Sequence, residues 1–138
     1  MIKIKGYIFS RPFNGERAPQ HIQNLVIRDF CTQKKIDLVL SSVEYAMKDS
    51  WMILKQIIKN LNKFDGIIFY SIYQLPTKES SRNFLYKNLI QKNKKIFFAL
   101  EKKELFSIAD FQDLEITLKI IQTLNKEDGI EILLKKYA

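Results

Sequence analysis

Four short apolar runs, separated by longer segments with helical periodicity, constrain the fold of this 138-residue chain more than any other feature. The clearest run is Gly66–Tyr70, whose β-branched and aromatic residues are typical of a buried strand. Similar runs occupy Ile2–Phe9, Ile36–Leu40 and Lys95–Leu100. Strands that alternate with helices form βαβ units around a parallel sheet. We therefore expect a three-layer α/β fold, with a mostly parallel sheet of four or five strands and helices on both faces.

The segments between these runs predict helices. The first begins near Pro19 and ends before Lys34. The second is capped by Asp49 or Ser50 and ends at Lys63. Glu79–Gln91 is the third, and its inward face is predicted to carry Phe84, Leu85 and Leu89. A long last helix starts near Asp110 and breaks at Asp128–Gly129. We expect one domain, 1–138, in which residues 110–138 form a C-terminal helical part.

The last helix carries apolar residues on two sides. One stripe comprises Leu114, Leu118 and Ile121, and the other comprises Ile116, Ile120 and Leu124. A helix that is apolar on both sides is either enclosed in a larger core or contacts another subunit. Few residues are left to cover it, so we expect a homodimer through the C-terminal helix.

Composition limits the class of protein. Hydrophobic residues make up 46% of the chain, which is ample for one core. No stretch approaches the ~20 apolar residues that a membrane helix requires, and the N-terminus has no signal-peptide pattern. We expect a cytoplasmic protein with no membrane contact. The single cysteine, Cys31, falls at a buried helical position and is interpreted as a core residue.

The formal net charge of +8 raises the question of nucleic-acid binding. The lysines, however, are scattered among predicted helices and turns together with many isoleucines and asparagines. This pattern favours a solvated surface over a nucleic-acid interface, so we do not expect nucleic acid to be the partner.

Polar residues follow three of the predicted strands. Because the carboxyl ends of parallel strands meet at one edge of a sheet, these side chains are expected to converge there on a ligand. Arg11 and Arg17 carry planar cationic groups suited to phosphate or carboxylate, although either could instead pair with Glu16 or Glu44. The predicted ligand-binding residues are Ser10, Arg11, Arg17, Gln20, Gln23, Asn24, Ser41, Ser42, Tyr70, Ser71 and Gln74.

The candidates for proton transfer or nucleophilic attack at this edge are Glu44, His21, Tyr45 and Ser10. A carboxyl group in a partly apolar pocket can act as a general acid or base, but Glu44 could equally form a structural salt bridge. His21 could be a capping residue, and Ser10 lacks a nucleophile elbow. With one cysteine, one histidine and no glycine-rich fingerprint, we expect no metal and no cofactor.

Tyr7–Arg11, the polar loop that follows and Gln23–Cys31 together resemble the start of the serine recombinase catalytic domain. The likeness extends over about the first hundred residues and implies a resolvase-like or flavodoxin-like fold with a long C-terminal helix. The resemblance does not extend to the catalytic residues of the family, so it does not imply recombinase activity. Phe9 stands where the family has its first arginine, Ser10 is out of register by one position, and residues 73–77 replace an Asp-Arg-Leu-x-Arg motif.

A second likeness covers most of the chain. The segments Gly6–Phe13, Pro19–Asp29, Leu40–Met47 and Asp65–Pro76 resemble the sporadic carbohydrate cluster protein family, small proteins encoded among genes for cell-surface sugar biosynthesis. This resemblance implies a role in making or modifying a glycan, without naming the reaction. The sequence therefore predicts a protein that binds an anionic sugar, a sugar phosphate or a nucleotide sugar. The alternatives are a non-catalytic dimeric module and, third, a DNA-binding protein.

Overall fold

The computed structural model describes residues 1–13, 17–125, 134 and 135. Contacts divide the chain into two compact units, residues 1–106 and 107–138. The strands are β1 (Lys3–Phe9), β2 (Asp37–Glu44), β3 (Gly66–Phe69), β4 (Lys95–Phe98) and β5 (Lys103–Leu105), and the helices are α1 (Gln20–Gln33), α2 (Met52–Lys59), α3 (Glu79–Gln91) and α4 (Ile108–Leu124). Single 3₁₀ turns occupy Leu61–Lys63 and Ile72–Gln74.

The five strands form one sheet in the order β2-β1-β3-β4-β5. The first four strands are parallel, and β5 runs antiparallel to β4. The predicted α/β class and the mostly parallel sheet are therefore confirmed, and β3 is the central strand. β5 is the fifth strand that the sequence left open, because three residues are too few to show a periodic signal.

The two faces of β1 show why the fold has three layers. Ile4 and Ile8 belong to a core cluster with Ile27 and Phe30 of α1. Tyr7 points to the opposite face, where its hydroxyl donates to Glu44 next to the start of α2. Alternation along one buried strand thus separates α1 from α2 across the sheet, as predicted.

β2 is longer than predicted, since it continues through Ser41 and Ser42 to Glu44. Its last three residues pair in register with Tyr7, Ile8 and Phe9 of β1. Because β2 is the edge strand, half-buried serines are tolerated there and interrupt the apolar pattern without interrupting the strand. Ser41 and Ser42 are therefore strand residues and not members of a loop.

Two helix details also differ from the predictions. α2 begins at Met52 with Trp51 at its N-cap, and neither Asp49 nor Ser50 caps it. On α3, Leu85 and Leu89 are buried as expected, but Phe84 is 55% exposed. The buried positions of α3 are 82, 85, 86 and 89, and residue 84 lies about 100° from Leu85 around the helix axis.

The second unit is described through α4. Its first turn has a capping box, in which Ser107 and Asp110 each accept a hydrogen bond from the other's backbone N–H. Leu114 is buried, whereas Ile116 and Leu124 are each 48% exposed. The homodimer and the single domain stay predictions, and the predicted break at Asp128–Gly129 lies outside the described residues. Among the described helices, none has the length and apolarity needed to cross a membrane.

Cys31 is buried in the core, as predicted, and burial raises the pKa of its thiol to about 11. The unfolded chain loses this proton near pH 9, whereas the folded chain keeps it to higher pH. The free energy of unfolding should therefore fall by about 2 kcal/mol as pH rises from 9 to 11. Urea unfolding of the wild type and Cys31→Ala at pH 8 and 10.5 tests this. Equal losses in the two proteins would contradict the expected role of the thiol.

Candidate functional site

The structure brings the carboxyl ends of β1, β2 and β3 to one edge of the sheet. Phe9 of β1 pairs with Glu44 of β2, and Tyr7 pairs with Phe69 of β3, so the segments after these strands start side by side. From the end of β1 the chain passes through α1 to β2, which lies on one side of β1. From the end of the neighbouring β3 it passes through α3 to β4, which lies on the opposite side. This reversal between neighbouring parallel strands creates the crevice in which α/β proteins bind ligands.

Arg11 fastens the first of these segments to the second. Its Nη1 donates to three backbone carbonyls at 2.8–3.0 Å, those of Tyr45, Met47 and Ser50. Within the described part of the chain, Arg11 forms no ion pair with Glu44. The guanidinium group therefore holds the loop after β2 through its backbone.

The Arg11 guanidinium also packs against two aromatic rings, whose centres are themselves 5.7 Å apart. Its central carbon is 4.5 Å from the ring centre of Phe9 and 4.7 Å from that of Trp51. Both distances are within the range of cation–π attraction. Contact with two rings and hydrogen bonds to three carbonyls hold the guanidinium in one orientation and hence set the direction of its other N–H groups.

Glu44 is the buried anchor of this edge, with only 1% of its surface exposed. Its carboxylate accepts from the Tyr7 hydroxyl and the Tyr45 backbone N–H, both at 2.9 Å, and from the backbone N–H groups of Ile53 and Leu54 at 3.1 and 3.2 Å. Burial first, then the charge of Glu44 and the hydrogen bond to it, raise the pKa of Tyr7. Glu44 thus supplies the hydrogen-bond acceptor for backbone N–H groups in the first turn of α2, where a negative charge is favourable.

Two glutamines connect the carboxyl ends of the neighbouring strands β1 and β3. Both Gln23 and Gln74 are 0% exposed, and Nε2 of Gln74 donates to Oε1 of Gln23 at 2.7 Å. Gln23 also accepts from the Phe9 N–H and donates to the carbonyls of Phe9 and Ala18. Gln74 accepts from the Tyr70 N–H. The structure therefore uses both amides to join the two strand ends.

Glu101 was missed by the sequence analysis although it belongs to the same edge. Its carboxylate accepts from the Ser71 hydroxyl at 2.7 Å and from the Ile72 N–H at 3.0 Å. The available signal was its position shortly after β4, where an acidic residue at a parallel strand end is a site candidate. Glu101 fixes the segment after β3 much as Glu44 fixes the segment after β2.

The other predicted residues are dispersed around this centre. The Ser10 hydroxyl donates to the Glu44 carbonyl at 3.0 Å, and Arg17 donates to the Ser10 carbonyl at 3.4 Å. The Ser41 hydroxyl is buried without a hydrogen-bond partner in the described part of the chain. The remaining side chains are exposed or half-buried: Gln20, His21, Asn24, Ser42, Tyr45 and Tyr70.

The Arg11 cleft, a cavity of about 450 Å³, opens next to these anchors. This volume falls in the range of small-molecule sites. Two cationic side chains and several aromatic rings line it: Arg11, Lys48, Phe9, Phe13, Trp51 and Tyr73. Of these, only Arg11 was predicted as a site residue. Trp51 is the single tryptophan of the sequence and follows the loop after β2, which could have marked it.

A smaller cavity of about 340 Å³ lies beside the first turn of α1 and is lined by Ser10, Arg17 and Gln20. It also borders Phe9, which lines the Arg11 cleft. Of the predicted ligand-binding residues, Gln23, Ser71 and Gln74 bond within the protein, whereas Ser10, Arg11, Arg17 and Gln20 line one of these two cavities. Among the described residues, no group of three or more histidine, cysteine, aspartate or glutamate side chains could hold a metal ion.

Comparison with known proteins gives the fold. No family model and no curated protein matches the chain. The N-terminal catalytic domain of TP901-1 integrase is similar in structure, with a TM-score of 0.60, 13% identity, and coverage of 88% of this chain and 99% of that chain. A resolvase family site-specific recombinase from Streptococcus pneumoniae gives 0.62 and 8%, covering 96% of this chain and 97% of that chain.

The C-terminal catalytic domain of ISC1926 TnpA, an IS607-like serine recombinase, is also similar. It gives a TM-score of 0.52 at 10% identity and covers 96% of this chain and 95% of that chain. At these identities the likeness concerns the fold alone. The predicted resolvase-like fold is therefore confirmed: the chain has the α/β architecture of serine recombinase catalytic domains.

Proposed function

We propose that the protein binds an anionic sugar, a sugar phosphate or a nucleotide sugar in the Arg11 cleft and acts in cell-surface carbohydrate biosynthesis, as a member of the sporadic carbohydrate cluster family. The observation that carries the binding proposal is the fixed guanidinium of Arg11. Its Nη1 is engaged by backbone carbonyls, whereas Nε and Nη2 have no hydrogen-bond partner among the described residues. A preoriented pair of N–H donors suits a phosphate or a carboxylate.

The rest of the cleft supports a sugar beside that anion. Phe13 and Tyr73 contribute aromatic surface, and Lys48 adds a second positive charge. Ligand sites combine mostly apolar walls with a few placed polar groups, and this cleft has that character. Arg17, in the adjoining cavity with Ser10 and Gln20, supplies a further cation and hydroxyl or amide groups that could bond sugar hydroxyls.

Under this proposal Glu44 is a positioning residue, because its four hydrogen bonds hold in place the loop whose carbonyls accept from Arg11. Of the four predicted candidates for proton transfer or nucleophilic attack, His21 and Tyr45 have exposed side chains. The half-buried Ser10 hydroxyl donates to a backbone carbonyl, which suits support of the loop better than nucleophilic attack.

The test is binding of glucose 1-phosphate and UDP-glucose, measured by isothermal titration calorimetry with the wild type and two variants. Arg11→Ala should weaken both ligands by about 10- to 100-fold, the usual effect of losing a charge-assisted hydrogen-bond pair. Lys48→Ala, which leaves the carbonyl contacts of Arg11 in place, should weaken both by about fivefold.

The matched control is Arg28→Ala, since Arg28 is exposed on α1 and lines none of the cavities described above. It should bind as the wild type does. Circular dichroism shows whether Arg11→Ala is folded, and Lys48→Ala keeps the test decisive if it is not. Failure of the wild type to bind either ligand, or unchanged affinity in both cleft variants, would refute the proposed site.

A further inference from the structure

A second cavity, the α2–α3 groove, lies between the helices that follow β2 and β3. It encloses about 630 Å³, and its lining includes Leu54 and Ile58 of α2 and Phe84 of α3. Phe84 is 55% exposed to solvent and is one of the residues that line this groove. An exposed aromatic ring beside a concave apolar surface is typical of a binding site.

The α2–α3 groove continues into the Arg11 cleft. Asp49, Trp51 and Thr77 line both cavities, so the two spaces meet at these residues. Asp49 has a φ of 61°, in the left-handed region that few residues other than glycine adopt. The shared boundary is thus a tight turn that presents the Asp49 carboxylate and the Trp51 indole to both cavities.

Charge on the two cavities favours a ligand with more than one negative charge. Among the described lining residues, Arg11 and Lys48 of the cleft and Lys55 and Lys78 of the groove are cationic, and Asp49 is acidic. The positive charges stand on either side of the shared boundary. A nucleotide sugar that spans both cavities would have cations near each end, while the Asp49 carboxylate between them would repel phosphate placed directly against it and accept hydrogen bonds from sugar or ribose hydroxyls.

The walls of the groove favour a planar, polar-edged group over an alkyl chain. The lining combines Leu54 and Ile58 of α2 with one face of α3 that carries Phe84 and, one turn before it, Ser80 and Ser81. A nucleobase matches such a mixture, because its faces stack on aromatic rings and its edges take hydrogen bonds. A hydrocarbon chain would leave these hydroxyl groups without partners.

We infer that the ligand is a nucleoside diphosphate sugar that spans the two cavities, with its sugar in the Arg11 cleft, its base in the α2–α3 groove against Phe84 and its phosphates next to the lysine and arginine side chains rather than against Asp49. This inference rests on the proposed function and narrows its ligand to one class. It adds a nucleoside subsite formed by α2 and α3, which the sequence analysis did not identify.

The test compares UDP-glucose, GDP-mannose, the nucleotides UDP and GDP without a sugar, and the matching sugar 1-phosphates by calorimetry. The wild type should bind at least one nucleotide sugar about tenfold more tightly than its sugar 1-phosphate. Phe84→Ala should remove about that tenfold gain and leave the sugar 1-phosphate unchanged, as expected for loss of a base-stacking ring. The matched control is Phe106→Ala, an exposed phenylalanine that lines neither cavity. It should leave all affinities unchanged.

The outcomes separate the two proposals. Arg11-dependent binding of sugar 1-phosphates with no gain from a nucleotide, or with equal losses in both classes for Phe84→Ala, would overturn the nucleoside subsite and keep the proposed function. Binding of UDP alone that depends on Phe84 but not on Arg11 would keep the groove as a nucleotide site and overturn the proposed function. Absence of binding by all of these compounds would overturn both.

Discussion

Replacement of Glu44 by alanine is expected to lower the free energy of unfolding by about 4 kcal/mol, the largest effect of any single substitution at this edge of the sheet. The carboxylate accepts four hydrogen bonds and is 1% exposed. Its removal leaves the Tyr7 hydroxyl and the first turn of α2 buried without acceptors, and it opens a cavity. Urea unfolding followed by the fluorescence of Trp51, the single tryptophan, measures the loss.

Two further variants identify the cause of this loss. Glu44→Gln keeps the shape but turns one acceptor into a donor that faces donors, so about 2 kcal/mol should be lost. Asp37→Ala, a control on the same strand with an exposed carboxylate, should change stability by less than about 0.5 kcal/mol. A loss below about 1 kcal/mol for Glu44→Ala would show that the four hydrogen bonds do not stabilise this edge.

The Glu44 variants should also weaken binding in the Arg11 cleft, although Glu44 does not line it. The carboxylate accepts from the Tyr45 N–H at one end of the loop. The carbonyls of Tyr45 and Met47, which accept from Arg11, lie in the same loop. A shift of this loop would move the guanidinium away from its present plane. Under the proposed function, ligand affinity in Glu44→Gln should therefore fall even where the protein is fully folded.

Strand and helix positions were largely predictable because burial of a strand on both faces produces an uninterrupted apolar run. β3 is buried at every position, and Gly66–Phe69 reads as such in the sequence. The prediction failed where burial is one-sided. β2 is the edge strand, so its serines carry no apolar signal, and Phe84 was assigned to the core although α3 turns that position outward. One-sided exposure depends on the order of strands, which local periodicity does not encode.

The edge of the sheet that carries the candidate site was predictable. Which of its polar side chains line a cavity and which form hydrogen bonds within the protein was not. Parallel strands bring their carboxyl ends together, so the polar segments after β1, β2 and β3 had to meet. Whether a polar side chain there faces a ligand or the protein depends on partners distant in sequence. Gln23 and Gln74 are 51 positions apart and bond each other, and no local pattern distinguishes them from exposed amides such as Gln20.

Replacement of Gln23 by alanine is the second substitution with a large expected effect, about 3–4 kcal/mol of the free energy of unfolding. The Gln23 amide accepts from the Phe9 backbone N–H and donates to the Phe9 carbonyl. It also donates to the Ala18 carbonyl and accepts from the Gln74 amide. Its loss leaves these buried groups without partners at the junction of β1 and β3. Gln74→Ala removes fewer hydrogen bonds and should cost about 2 kcal/mol, while Gln20→Ala, an exposed amide on the same helix, should cost less than about 0.5 kcal/mol.

The double variant decides whether the two glutamines act as one unit. If the 2.7 Å bond between them joins the strand ends, then Gln23→Ala with Gln74→Ala should cost about 1 kcal/mol less than the two single losses added together, because the shared bond is removed only once. Additive losses in urea unfolding would mean that each amide holds its own strand end independently. In the coupled case, the ends of β1 and β3 are joined by a single polar link made of these two amides.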